Sequence, residues 1–156
     1  MITNIGLKES ARAKVLTVLD PVLADEYVLY TKTRNFHWNV VGPNFNDRHK
    51  FFEAQYEILD GHVDAVAERS RALGGRALGS LKEFLAVARL KESVGRTPKE
   101  EAMIAELLRD HEALIRTLRA DVDETTRLGD AGTADFLTGI LEEHEKMAWM
   151  LRSFVS

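Results

Sequence analysis

Apolar residues recur every three or four positions along most of the chain, and strand-like alternation is nowhere sustained. This spacing predicts a first helix over Ser10 to Asn39, with Leu23, Tyr27, Tyr30 and His37 on one face. Pro21, preceded by Asp20, is expected to kink that helix or restart it. Val41-Gly42-Pro43-Asn44 reads as a loop. A second helix is expected from Asn46 to Leu73, apolar at Phe52, Leu59, Val63 and Val66, with Gly74-Gly75 as its stop. Ser80 to Arg89 reads as a short helix whose Leu81, Phe84, Leu85 and Ala88 need a surface to cover. Thr97, Pro98 and Glu100 read as the N-cap, first-turn proline and capping-box glutamate of a third long helix. It is expected to reach Leu128, with Met103, Leu107, Leu114, Leu118 and Val122 inward. A fourth, Thr133 to Phe154, turns Leu137, Ile140, Met147 and Leu151 inward.

Four long helices and a short connecting one imply an all-α four-helix bundle, with the short helix between helices 2 and 3. The link from Gly74 to Arg96 is long enough to cross the bundle end to end, so helices 2 and 3 are expected to run parallel. A chain of 156 residues suits one domain spanning 1–156.

Composition narrows the chemistry. With no cysteine, thiolate metal sites, disulfides and thiol nucleophiles are excluded, and a reducing cytoplasm is expected. Met1 to Glu9 lacks the apolar run of a signal peptide, and no stretch approaches the ~18 apolar residues of a membrane span. Charge is balanced, with 21 basic against 25 acidic residues and a net charge of -4. The basic residues are interleaved with acids rather than gathered in a stripe, and Arg69, Arg71 and Arg76 read as a solvated helix end.

A bundle core usually builds a di-iron site from Glu-x-x-His on two helices. Here the residues three before the histidines are Arg34, Asn46, Leu59, Leu108 and Leu141, so a di-iron centre of that kind is not expected inside one chain. Another constellation is present. His37 ends the first helix; His49 and Glu53, then Asp64 and Glu68, stand on the second, each pair spaced i, i+4. At ~100° per residue all four fall within an arc of roughly 100°. Glu53 and Asp64 are nonetheless about 16 Å apart along the axis at 1.5 Å per residue, whereas metal–ligand bonds are near 2 Å. One helix cannot bring both pairs to one ion. Two copies packed antiparallel about a dyad between Ile58 and Leu59 can, and such an isologous dimer makes two equivalent sites. Imidazole with carboxylates suits Fe(II), Mn(II) or Zn(II). Taken singly, each pair reads more readily as a solvated helix face than as metal ligands.

The segment Leu29-Tyr30-Thr31-Lys32-Thr33-Arg34-Asn35-Phe36-His37-Trp38-Asn39-Val40 resembles the signature of the Dps family, the DNA-binding proteins from starved cells. Gly42-Pro43-Asn44-Phe45 and His49 continue the likeness, and Asp64-Ala65-Val66-Ala67-Glu68-Arg69 with Ala72-Leu73-Gly74-Gly75 completes it. It is strong over residues 15–76 and looser beyond, through Asp130 to Phe136 and Trp149. The resemblance implies a ferritin-like bundle, a dodecameric shell, and a ferroxidase site shared between two-fold-related subunits. It assigns His37, His49 and Glu53 to one subunit and Asp64 and Glu68 to its neighbour. Glu53 stands where the family often has aspartate, and Arg48 where it usually has an apolar residue. The implied chemistry is oxidation of Fe(II), preferably by hydrogen peroxide and otherwise by oxygen, with ferric mineral stored inside and oxidative stress relieved. Trp38 is expected near the site or in ordinary packing.

Other candidates have plainer readings. His62 lies about 160° around the helix from Asp64, on another face. His111 and His144 fall on inward stripes and read as hydrogen-bonded core histidines. Asp130 and Asp135 read as helix-capping acids, although the family places acids of this region in a three-fold iron pore. Glu57 is a candidate for facing the cavity. The contrasting function is DNA compaction. Family members that coat DNA commonly use a lysine-rich tail; here the segment before the first helix carries only Lys8 and the chain ends Arg152-Ser153-Phe154-Val155-Ser156, so weak or absent DNA binding is expected. A shell that takes up Zn(II) or Mn(II) without oxidation is a third reading.

Overall fold

The computed structural model describes residues 3–155; Met1, Ile2 and Ser156, which belong to the terminal segments read above as poor in lysine, lie outside the described residues. The elements are α1 (Glu9–Asn39), α2 (Phe45–Ala72), α3 (Leu81–Val87), α4 (Glu100–Arg127) and α5 (Ala131–Arg152), with no strand among the described residues. Hairpins α1/α2 and α4/α5 pack together, α1 against α4 and α2 against α5. Their shared core holds Leu19, Leu23, Phe36, Phe52, Leu59, Leu107, Leu118, Leu137 and Leu151, all buried. No helix among the described residues is long and apolar enough to cross a membrane.

Helix direction follows from the contacts. Near one end, Arg48 of α2 meets Glu100 at the start of α4 and Phe154 just beyond α5. At the other, Arg69 of α2 meets Asp130 at the start of α5. α2 and α4 therefore run parallel, and the 73–99 link returns the chain along the length of the bundle. Asp25 on α1, fully buried, anchors that link. One of its oxygens accepts from the backbone N–H groups of Arg89 (2.6 Å) and Leu90 (2.9 Å), and the other from Arg89 Nε (2.6 Å).

Local signals explain most boundaries. α2 ends on Gly74 and α4 on Gly129, both left-handed (φ +84° and +79°). In each, the two residues after the cap return N–H groups to the last turn: Gly74 to Arg71 and Gly75 to Ser70, then Gly129 to Thr126 and Asp130 to Thr125. α3 starts on Ser80, whose Oγ accepts from Glu83 N while donating to the Glu83 carboxylate.

Three expectations need correction. Of the two outcomes expected at Pro21, a kink or a restart, the restart is excluded because α1 continues through it; the carbonyl that loses its partner belongs to Thr17, which is exposed to solvent. α4 begins at Glu100 rather than Thr97, and no side chain caps it. Glu100 instead accepts from Arg48 Nε at 2.5 Å, across to α2, so long-range pairing displaces the local capping box. α3 covers its surface through Phe84, stacked on Tyr27 at 4.5 Å, while Leu81 and Leu85 stay exposed.

Candidate metal centre

The junction of α1 and α2 brings the first candidate ligands together. His37 closes α1, and after the 40–44 loop α2 returns His49 beside it, the rings stacked at 3.7 Å. Each ring bonds the other residue's backbone: His37 Nδ1 donates to the His49 carbonyl at 2.8 Å, and His49 Nδ1 to the His37 carbonyl at 2.9 Å. A carbonyl only accepts, so both Nδ1 atoms carry the proton and both Nε2 atoms keep the lone pair that a metal needs. Two metal-competent nitrogens are thus fixed before any ion arrives.

Glu53 follows one turn along α2, partly buried. Tyr56, which the sequence reading missed, packs edge-on to His37 at 5.2 Å and reaches Glu53 Oε1 at 3.5 Å. Burial and then the Glu53 carboxylate push its hydroxyl above the ordinary tyrosine range. The available signal was its i, i+3 spacing from Glu53. The guanidinium of Arg34 lies over the Tyr56 ring at 4.9 Å and over Trp38 at 5.3 Å. Trp38 is 63% exposed and approaches the site through Arg34. Arg48 sits on the far side of this junction, held by Glu100 and stacked on Phe154 at 4.0 Å.

Asp64 and Glu68 do not join this group within the chain. Both are exposed on α2, with no bonding partner among the described residues. They begin eleven residues beyond Glu53, about 16 Å along the helix. The candidate ligands thus fall in two separate groups within the chain.

The remaining candidates separate cleanly. Asp130 is buried and caps α5, accepting from Thr133 N at 3.0 Å and pairing with Arg69 Nη2 at 3.1 Å. Asp135 and Glu57 are exposed. His62, His111 and His144 are buried together around Glu26 of α1. His144 Nε2 donates to Glu26 Oε1 at 2.7 Å, and His111 Nδ1 lies 2.9 Å from His144 Nδ1. Burial alone would raise the Glu26 carboxyl, but His144 and then His62 outweigh it and hold it at about 2. Burial would lower His62, but Glu26 and Glu143 raise it instead; His111, buried beside His144, is pushed well below the ordinary histidine value. Glu26 was absent from the candidates read in the sequence, because the residues around it carry no motif.

Comparison with known proteins completes the picture. A family model described as a ferritin-like domain matches residues 17–156. A low temperature-induced protein of Nostoc sp. is 51% identical, over 97% of this chain and 86% of its own. A DNA protection during starvation protein of Bacillus anthracis is 38% identical, over 92% of this chain and 97% of its own. The solved structure of a Dps protein from Vibrio cholerae O1, described as a member of a broad superfamily of ferritin-like diiron-carboxylate proteins, superposes with a TM-score of 0.94 at 30% identity, covering 100% of this chain and 98% of that one.

Proposed function

Because the chain belongs to the Dps family of ferritin-like proteins, we propose that it oxidises and stores iron at a di-nuclear site shared between two-fold-related copies. His37, His49 and Glu53 of one copy face Asp64 and Glu68 of the other. The observation that carries this reading is the division on α2: ligand-competent histidines at one end, unpartnered carboxylates at the other, too far apart for one ion. An antiparallel α2 pair closes both gaps at once.

Iron enters as substrate. Imidazoles and carboxylates bind Fe(II) and favour Fe(III), with charge neutralised by the acids. Two irons held together deliver two electrons to one peroxide: 2 Fe(II) + H2O2 + 2 H2O give 2 FeOOH and 4 H+. No one-electron cleavage of peroxide is needed, so hydroxyl radical is not released. Oxygen is the slower alternative oxidant. The ferric product is stored inside a shell of twelve subunits, and on this reading the exposed Asp135 draws cations toward it. Zn(II) and Mn(II) fit the same donors and compete with iron.

Protection of DNA, which several relatives carry in their names, follows on this reading from removal of iron and peroxide rather than from coating. The chain has a net charge of -4, and arginines such as Arg76, Arg89, Arg119 and Arg127 are engaged with carboxylates on its own surface.

The test is anaerobic Fe(II) loading of the assembled protein followed by peroxide or oxygen, with ferric absorbance recorded. The parent should oxidise iron faster with peroxide, at about one peroxide per two irons. His49→Ala should lose at least tenfold in rate. Unchanged oxidation in that variant would refute the proposal.

A further inference from the structure

On the side of α2 facing the bundle core, four helices bring five titratable side chains together: Glu26 from α1, His62 from α2, His111 from α4, and Glu143 and His144 from α5. One oxygen of Glu26 accepts from His144 Nε2 at 2.7 Å. The other, Oε2, faces His62 Nδ1 at 3.4 Å; both atoms are buried and neither has a hydrogen-bond partner. They meet only as a long ion pair, and buried polar groups without a proper hydrogen bond are costly and uncommon. The separation has a meaning of its own, because two ligand atoms bonded at about 2.1 Å to one tetrahedral ion lie ~3.4 Å apart. One ligand atom from each of Glu26, His62 and His144 lies within 4.8 Å of the others.

The outer partners suit ligands. His62 donates from Nε2 to Glu143 Oε2 at 2.5 Å, which turns Nδ1 toward Glu26, and an ion binding there takes the place of the proton that the carboxylate favours on Nδ1. His111 stands behind His144, Nδ1 to Nδ1 at 2.9 Å. When an ion takes His144 Nε2, the proton there transfers to Nδ1 and is donated to His111, whose own proton moves to the Nε2 that now has no partner.

We propose that Glu26, His62 and His144 form a second metal site, contained within one chain, that takes one divalent transition ion such as Zn(II), Co(II) or Fe(II). Two nitrogen donors among three ligands select against Ca(II) and Mg(II). Access runs past Glu143, which is more than half exposed and lines the groove between α2 and α5 with Gln55, Ile58 and Met147. No residue of the His37–Glu68 set takes part, so this site stands or falls separately from the shared one.

The experiment is Co(II) titration of the metal-stripped, assembled His37→Ala/His49→Ala/Asp64→Ala variant, read by visible absorption and equilibrium dialysis. One Co(II) per chain with nitrogen-ligand absorption is expected, along with a higher thermal midpoint when cobalt is present. Adding Glu26→Gln or His62→Gln should weaken binding at least tenfold and abolish the thermal shift. His62→Gln, at the rim of the cluster, carries the test if Glu26→Gln does not fold. No bound cobalt in the triple variant, or binding unmoved by both glutamine substitutions, overturns the proposal.

Discussion

Two faces of α2 carry metal-type ligands under opposite conditions. On one, His49, Glu53, Asp64 and Glu68 lie along a partly or fully exposed stripe, and the acids at its far end have no bonding partner among the described residues. On the other, His62 enters a core cluster with Glu26, Glu143, His111 and His144, where His144 bonds Glu26 and His62 bonds Glu143 while Glu26 Oε2, His62 Nδ1 and His111 Nε2 have no hydrogen-bond partner. Both sets have the residue types a metal wants. In the proposed arrangement, what differs is which chain completes them. A site finished by a second copy must leave its ligands at the surface, where water satisfies them until assembly. A site finished by the same chain must satisfy buried groups during folding, so hydrogen bonds hold it in the absence of an ion.

This contrast predicts that ligand substitutions on the two faces fail differently. The largest effect is on catalysis: Asp64→Ala should slow iron oxidation by tenfold or more, although Asp64 touches no other ligand within its own chain. The next is on stability. His144→Ala removes the partner of a fully buried carboxylate and should lower urea-unfolding stability by about 3–5 kcal/mol, whereas Asp64→Ala should stay within about 0.5 kcal/mol of the parent when subunits are compared in the unassembled state. Equal losses for the two would break the contrast. A smaller effect is expected at Asp130. Asp130→Ala removes a helix cap and an Arg69 ion pair and should cost about 1–2 kcal/mol by the same measurement, with iron oxidation in the assembled protein retained. The smallest concerns DNA: gel mobility of duplex DNA at physiological salt should not change on adding the protein, whereas tight retardation would revive the coating role.

The bundle was readable because four amphipathic stretches, separated by glycine and proline, specify helices and their inward faces without knowledge of their neighbours. The exposed stripe was readable for the same reason: its spacing is a property of one helix. Boundaries set across the fold were not. Thr97 and Pro98 offered a local start for α4, yet Arg48, 52 residues away from Glu100, takes the glutamate that a capping box needs. The pairing also gives Arg48 a role that its position in the motif left unexplained. The core cluster was the least readable feature. Its ligands come from three helices over 118 residues of chain, so no spacing within one helix announces them. His111 and His144 were rightly read as core histidines with partners, but Glu26 was missed because a buried carboxylate looks like any other in a sequence.

The central claim is that the exposed ligands are halves of a shared site, and subunit mixing tests it most directly. His49→Ala and Asp64→Ala subunits, each inactive alone, would be dissociated, mixed in equal amounts and reassembled. Random pairing makes half of the dimers mixed, and each mixed dimer restores one of its two sites, so oxidation should return to about a quarter of the parental rate. A mixture as inactive as its components would show that each chain must supply both residues to the same ion, which contradicts the account.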